Sequence, residues 1–502
     1  MQRRPESLGS PWLPALACAA LCAPVGASAG ALADAARAAR AAAARALLEE
    51  GADANDAQAD GTTALIWAVY HEDAALVERL IAAGADVRRA NDYGATPMSE
   101  AAVTGNIGVL ERLLVAGADP DSANADGQTA LMVVARGANV AAAELLLAAG
   151  ARIDAREQRK GQTALMWAAA QSQPAMMEAL IAHGANVDAR SSVYEWERRV
   201  TAEPRMKNVP AGGFTPLLYA ARQGCAACAR LLVDNGAEID LENPDGIAPL
   251  LMALLNAHFD TAKYLLDSGA SANKWDAWGR TPLYAAVDYH TIPHGGRPDR
   301  PSLDDTANLD MIALLLAAGA NPNAQLKLFP PYRSLRMDRG ADGILDIGTT
   351  PLLRAARAAD TAAIQLLLEH GALADLPQRD GVTPLMAAAG YGASPIDTRG
   401  RFTTKDERVP AVQLLLAAGA DAARRDARGR TALHGAAAQG YNELVKLLVE
   451  HGADPAAADT DGATPLDAAL GRMRGAARGA GGQAHPETAR LLEELIASSA
   501  GR

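Results

Sequence analysis

The residues best placed to do chemistry are Cys225-Ala-Ala-Cys228. A Cys-x-x-Cys pair at the start of a helix has a lowered thiol pKa, and a thiolate there can exchange disulfides. A thioredoxin-like use requires a surrounding βαβ pattern, and haem attachment requires His after the second Cys, where Ala229 stands. Zinc needs two more ligands, and none is in view. Three readings stay open: a structural disulfide or inert thiols, a redox-sensitive staple, or a catalytic pair. A second cluster is His290 and His294 with Asp299. Histidines four apart share a face only on a helix, and Pro293 in a Pro/Gly-rich stretch opposes one, so no metal is expected. No Gly-rich phosphate loop follows a strand, because the pattern leaves no strand to follow, and there is no nucleophile elbow. No cofactor is expected.

The elements that must carry these residues are short and repeated. In Gly429–Asp461, Thr431-Ala432-Leu433-His434 opens one amphipathic helix and Gly440 breaks it. Leu444, Val445, Leu447 and Leu448 then form the inner stripe of a second helix. Gly452 stands where the residue after a helix takes positive φ, and Asp454-Pro455 turn the chain toward the next copy. A unit this small cannot bury its own apolar stripe. Gly-x-Thr-(Pro/Ala)-Leu or a close variant recurs from Gly61, Gly94, Gly127, Gly161, Gly213, Gly246, Gly279, Gly348, Gly381, Gly429 and Gly462, with a basic step of 33. Thr96-Pro97, Thr215-Pro216, Thr281-Pro282, Thr350-Pro351, Thr383-Pro384 and Thr464-Pro465 fall in register, as do the endings Ala-Gly-Ala-Asp (83–86, 116–119, 418–421) and His-Gly-Ala (183–185, 370–372, 451–453).

A period of 33 with this lettering resembles the ankyrin-repeat family. The resemblance implies an all-α solenoid of eleven helix-turn-helix repeats with β-turn fingers, stacked as a curved array. The family's usual His in the fourth letter stands only as His434; elsewhere Ile66, Met132, Met166, Leu218 or Tyr284 replaces it. Residues 30–60 read as an N-terminal capping half-repeat, 61–190 as repeats 1–4, 191–212 as a finger insertion, 213–428 as repeats 5–9, and 429–502 as repeats 10–11 with a C-terminal cap.

The composition fits thin Ala/Leu layers: 49% hydrophobic with only 4% aromatic. The formal charge is −12, which argues against nucleic acid and anionic membranes. Residues 1–29 read as a signal peptide. Arg3 and Arg4 make a basic start, Trp12–Val25 an apolar run that holds Cys18 and Cys22, and Ala27-Ser28-Ala29 a small-x-small cleavage site before Gly30. The run is too short to span a membrane, and no later segment qualifies. The expectation is cleavage after Ala29 and release to the periplasm or outside the cell as a monomer.

The spacing breaks at steps of 52, 69 and 48, placing insertions at 191–212, 291–305, 327–347 and 393–408. Loops this long are usually functional or disordered, and disorder is aromatic-poor. Tyr194, Trp196, Phe329, Tyr332 and Phe402 lie inside insertions, with Arg333 beside Tyr332, and Phe214 abuts one. Aromatics with Arg are the residues that anchor interfaces. The family resemblance implies partner contacts just before the motif Thr and at the end of the first helix: Phe214, Arg222, Gln223, Trp278, Arg280, Asp288, Tyr289, Arg357 and Tyr391, with Tyr70 and His71 in the first full repeat. Trp67, Trp167 and Tyr219 occupy a neighbouring letter that is normally apolar packing. The leading expectation is an exported, non-catalytic scaffold gripping a protein or extended peptide. A redox-active or metal-assisted enzyme and a glycan or small-ligand binder are the alternatives.

Overall fold

The computed structural model describes residues 30–198, 207–291, 304–328, 344–393, 405–473 and 483–500. The signal-peptide segment 1–29 and most of three insertions, including His294, Asp299, Phe329, Tyr332, Arg333 and Phe402, lie outside them. The chain divides into two compact units, 1–125 and 126–502.

The first unit holds α1 (Ala31–Arg37), α2 (Ala41–Glu49), α3 (Ala64–Tyr70), α4 (Ala74–Ala82), α5 (Pro97–Thr104) and α6 (Ile107–Val115). The cap thus contributes a complete helix pair. The second unit continues with α7 (Ala130–Arg136), α8 (Val140–Ala148), α9 (Ala164–Ala170), α10 (Pro174–Ala182), β1 (Val193–Arg198), β2 (Lys207–Gly212), α11 (Pro216–Gln223), α12 (Ala226–Asp234), α13 (Pro249–Leu255), α14 (Phe259–Asp267), α15 (Pro282–His290) and α16 (Asn308–Ala317). It ends with α17 (Pro351–Arg357), α18 (Thr361–Glu369), α19 (Pro384–Ala388), α20 (Lys405–Ala417), α21 (Ala432–Ala438), α22 (Asn442–Glu450), α23 (Pro465–Ala469) and α24 (Pro486–Ala500).

Most layers start the same way. The motif threonine sits in extended backbone and accepts a hydrogen bond from the third helical N–H, as Thr215 does from Leu218 at 3.2 Å and Thr350 from Leu353 at 3.1 Å. The proline after it needs no N–H partner at that position. Ala248 replaces Thr before α13 and leaves that helix without a side-chain cap. Many second helices are capped by Asp or Asn, as by Asp73, Asn106 and Asp360. First helices pack on first helices and second on second: α7 on α9, α9 on α11, α11 on α13, and likewise α8 on α10 and α10 on α12. The buried seam is aliphatic, with Leu131, Leu146, Leu165, Leu180, Leu218 and Leu232 at most 1% exposed.

His434 is fully buried. Its Nδ1 accepts from the Thr431 N–H at 3.1 Å, and its Nε2 lies 3.3 Å from the Ala463 carbonyl. Burial holds its pKa below the ordinary histidine value, so the ring is a neutral clamp between layers. Where Ile66, Met132, Met166, Leu218 and Tyr284 stand instead, apolar packing fills the place.

The expectation of no strand is corrected by the insertion at 191–212. Its ends pair as the antiparallel hairpin β1–β2, in register from Val193 opposite Gly212 to Arg198 opposite Lys207. The second correction concerns His290, expected on a loop. It is the last residue of α15, and its Nδ1 meets the Asp360 carboxylate at the start of α18. Among the described residues no group of three or more His, Cys, Asp or Glu is placed to hold a metal ion, and no helix is long and apolar enough to cross a membrane.

Candidate functional site

Within the second unit the first helices form one stacked row, and the fourth residue after each cap shares a register down it. The sequence there runs Val133, Trp167, Tyr219, Met252 and Ala285, then Arg354, Ala387 and Gly435. Large and aromatic letters give way to small ones, and the two ends of the row differ in what covers them.

At the small end the chain covers itself. Leaving α19, Tyr391 lies so close to α21 that a Cβ on Gly435 would sit 2.8 Å from its backbone. Gln439 donates to the Ala393 carbonyl at 3.1 Å, and Ile344 packs where a side chain on Gly392 would project. The described ends of two insertions therefore meet over the helices that begin at Pro351, Pro384 and Ala432. The Tyr391 hydroxyl donates to Asp426. Burial, reinforced by that carboxylate, holds its pKa far above the ordinary tyrosine range.

Three arginines of this half are paired with carboxylates of the same chain. Arg280 Nε meets Asp276 at 2.6 Å, Arg354 Nε meets Asp288 at 2.6 Å, and Arg430 Nε meets Asp459 at 2.9 Å. Trp278 is 7% exposed with the Arg280 guanidinium over its ring, and Tyr289 packs edge-on against Phe259 at 5.4 Å. Arg357 is buried beside the 391–393 turn. So Trp278, Arg280, Asp288, Tyr289, Arg357 and Tyr391, expected as partner contacts, are set against other parts of the same fold.

The other end is different. Arg136, the last residue of α7, lies with its guanidinium 5.2 Å from the Trp167 ring centroid. Arg222 near the end of α11 lies 5.1 Å from the Tyr219 ring and 5.6 Å from Phe214, which are themselves 5.3 Å apart. Both arginines are exposed, and among the described residues neither pairs with a carboxylate. Gln162 donates to the Tyr219 hydroxyl at 2.5 Å, and burial raises that phenol's pKa. The Trp167 indole N–H is buried without an acceptor. Tyr194 at the hairpin base is 37% exposed; Trp196 lies in β1, and its side chain is outside the described set. The sequence lettering singles out neither Trp167 nor Arg136 as a contact. Trp167 occupies a packing letter, and Arg136 stacks on it from the preceding layer, 31 positions earlier.

Three further features complete the inventory. In the first unit Arg37 lies over Trp67 at 5.8 Å, with Tyr70 and His71 against the same ring. At the finger tips Trp275, 49% exposed, carries Lys327 over its ring, beside a shallow open depression of about 420 Å³ lined by Glu242, Pro244 and Lys274. The sequence reading passed over Trp275, although it stands three residues from Trp278 in one finger. Finally, Cys225 and Cys228 are joined by a disulfide at the start of α12, with Cys228 fully buried. A bonded pair offers no thiolate for attack.

Comparison with known proteins agrees with the layer geometry. A family model described as Ankyrin repeats (3 copies) matches residues 32–124, 100–191, 217–326 and 403–479. The E3 ubiquitin-protein ligase KEG of Arabidopsis thaliana is 27% identical over 280 residues, 52% of this chain and 16% of that protein. Ankyrin repeat and SOCS box protein 16 of Homo sapiens is 33% identical over 255 residues, 51% of this chain and 47% of that protein. The chain thus spans less than half the length of either curated relative. The crystal structure of the human ASB11 ankyrin repeat domain is 24% identical with a TM-score of 0.39, covering 48% of this chain and 98% of that one.

Proposed function

The chain belongs to the ankyrin-repeat family, and on that premise we propose that it is a non-catalytic scaffold holding a protein or peptide partner on the inner face of the layers that begin at Gly127, Gly161 and Gly213. One observation carries the reading: there, Arg136 and Arg222 are exposed, stacked on aromatic rings and unmatched by any described carboxylate. A stacked guanidinium is already ordered, so a partner that meets it loses less side-chain freedom on binding. Half-buried Trp167 and Phe214 beside exposed arginine also supply the kind of anchor that dominates interface energies. Trp167→Ala combined with Phe214→Ala should leave the circular dichroism unchanged and lower partner affinity at least tenfold in a titration against a partner recovered from native extract. Equal affinity of the variant would move the site elsewhere.

Export belongs to the same reading. The basic, apolar and small-residue segments of residues 1–29 support removal of this stretch and work outside the cytoplasm, where the Cys225–Cys228 bond is at home. N-terminal sequencing of the protein made in its native host should begin at Gly30; a chain beginning at Met1 overturns export by this route.

A further inference from the structure

We infer that the segment held on this face is acidic and extended, with two carboxylate side chains about six residues apart and an apolar residue between them. The inference rests on the face proposed above and adds the chemistry of its occupant.

Charge is the first ground. The protein carries −12 overall, yet among the described side chains of the inner helices and fingers here the exposed cations Arg136, Arg152, Arg156, Arg159, Lys160 and Arg222 outnumber the exposed carboxylates Asp119, Asp126 and Asp154. Glu157, in the same finger, is buried, its oxygens accepting from the backbone N–H groups of Arg159, Lys160 and Gln162. Glu144 and Glu178 belong to α8 and α10, the other layer of helices.

The fold itself supplies the second ground. At other positions of the repeat Arg280, Arg354 and Arg430 each hold a carboxylate at 2.6–2.9 Å, while Arg357, in the register of Arg136 and Arg222, is buried and reaches the Gly392 carbonyl. The arginine guanidinium donates to a carboxylate in a forked, charge-assisted pair. Arg136 and Arg222 have the aromatic ring and, among the described residues, no paired carboxylate. The partner would bring it.

Spacing is the third. Arg136 and Arg222 each stand seven residues after their cap threonines, Thr129 and Thr215. They occupy one register two layers apart, about 20 Å at ordinary helix-packing distances. An extended chain rising about 3.3 Å per residue crosses that in roughly six residues. Trp167, in the intervening layer, lies between the two arginines, opposite the middle of such a segment.

The test uses the full chain and a fluorescein-labelled peptide with two glutamates six residues apart and a leucine midway. The expected result is binding that weakens as salt is raised, with at least a tenfold loss in Arg136→Gln and in Arg222→Gln; both side chains are exposed, and circular dichroism checks the fold. Equal binding of the peptide with both glutamates changed to glutamine overturns the inference, as does unchanged binding in the arginine variants. Tighter binding of a single-stranded oligonucleotide of matching length overturns it in favour of phosphate recognition. The two claims fail separately. If Trp167→Ala/Phe214→Ala loses the native partner while the arginine variants keep it, the face stands and its acidic occupant falls. If all variants keep the partner, the face itself falls.

Discussion

Arginine has two fates in this protein, and the difference lies in what stands beside it. Arg430 is 4% exposed as a side chain and holds Asp459, which is fully buried; removing either partner would strand a charge in the interior. Arg222 rests on rings and keeps its charge toward water. Glu100 is the acidic counterpart in the first unit. It stands four residues after its cap Thr96, half-buried on α5, and burial holds its pKa above the ordinary value of 4.5. A raised carboxylate pKa means that the folded chain binds the proton more tightly than the unfolded one. Stability therefore falls as pH rises through that window. Glu100→Gln should raise the melting temperature modestly at neutral pH, since water still screens the group, and the gain should vanish below about pH 4. A melting temperature that falls at pH 7 would show that the carboxylate makes a favourable contact instead. None of this is legible from lettering: Glu100 reads as a polar residue on an amphipathic helix, and only the neighbours reveal the burial.

Among the elements, helices were readable and their pairings less so. Thr-Pro at the cap announces the start of α11, α15, α17, α19 and α23, because the side chain and the ring each solve a local backbone problem. The hairpin was legible but overlooked. Tyr194 and Trp196 alternate with Glu195 and Glu197, the period-two signal of a strand. Pro210 sits in β2 of a two-stranded sheet, a place a proline tolerates. The covered end of the row could not be read in advance. It depends on Gly435, whose missing side chain admits Tyr391 from 44 residues earlier. A glycine inside a helix looks like a weak letter until the backbone that crosses it is seen.

At the scale of the molecule, repetition made the fold legible and left the site obscure. The step of 33 fixes where each layer begins, because every layer must bury the same stripe. Specificity resides in the letters that vary, and those take meaning from contacts with adjacent layers. Such a stack should also fail locally. Phe259 is 1% exposed and lies in α14 against Tyr289. Phe259→Ala should cost about 3–5 kcal/mol, and hydrogen exchange should quicken in α13–α16 while α21–α24 keep their protection. Uniform acceleration through residues 126–502 would show a single cooperative block instead.

The helices α15 and α16 pack as an ordinary pair although His290 and Asn308 are separated by an insertion. The described end of the span is tied to α14, where the Asp305 and Thr306 N–H groups donate to the Asp260 carboxylate. A fluorophore-bearing tag or a borrowed epitope written into the chain ahead of those residues should therefore leave the packing of α15 on α16 unedited.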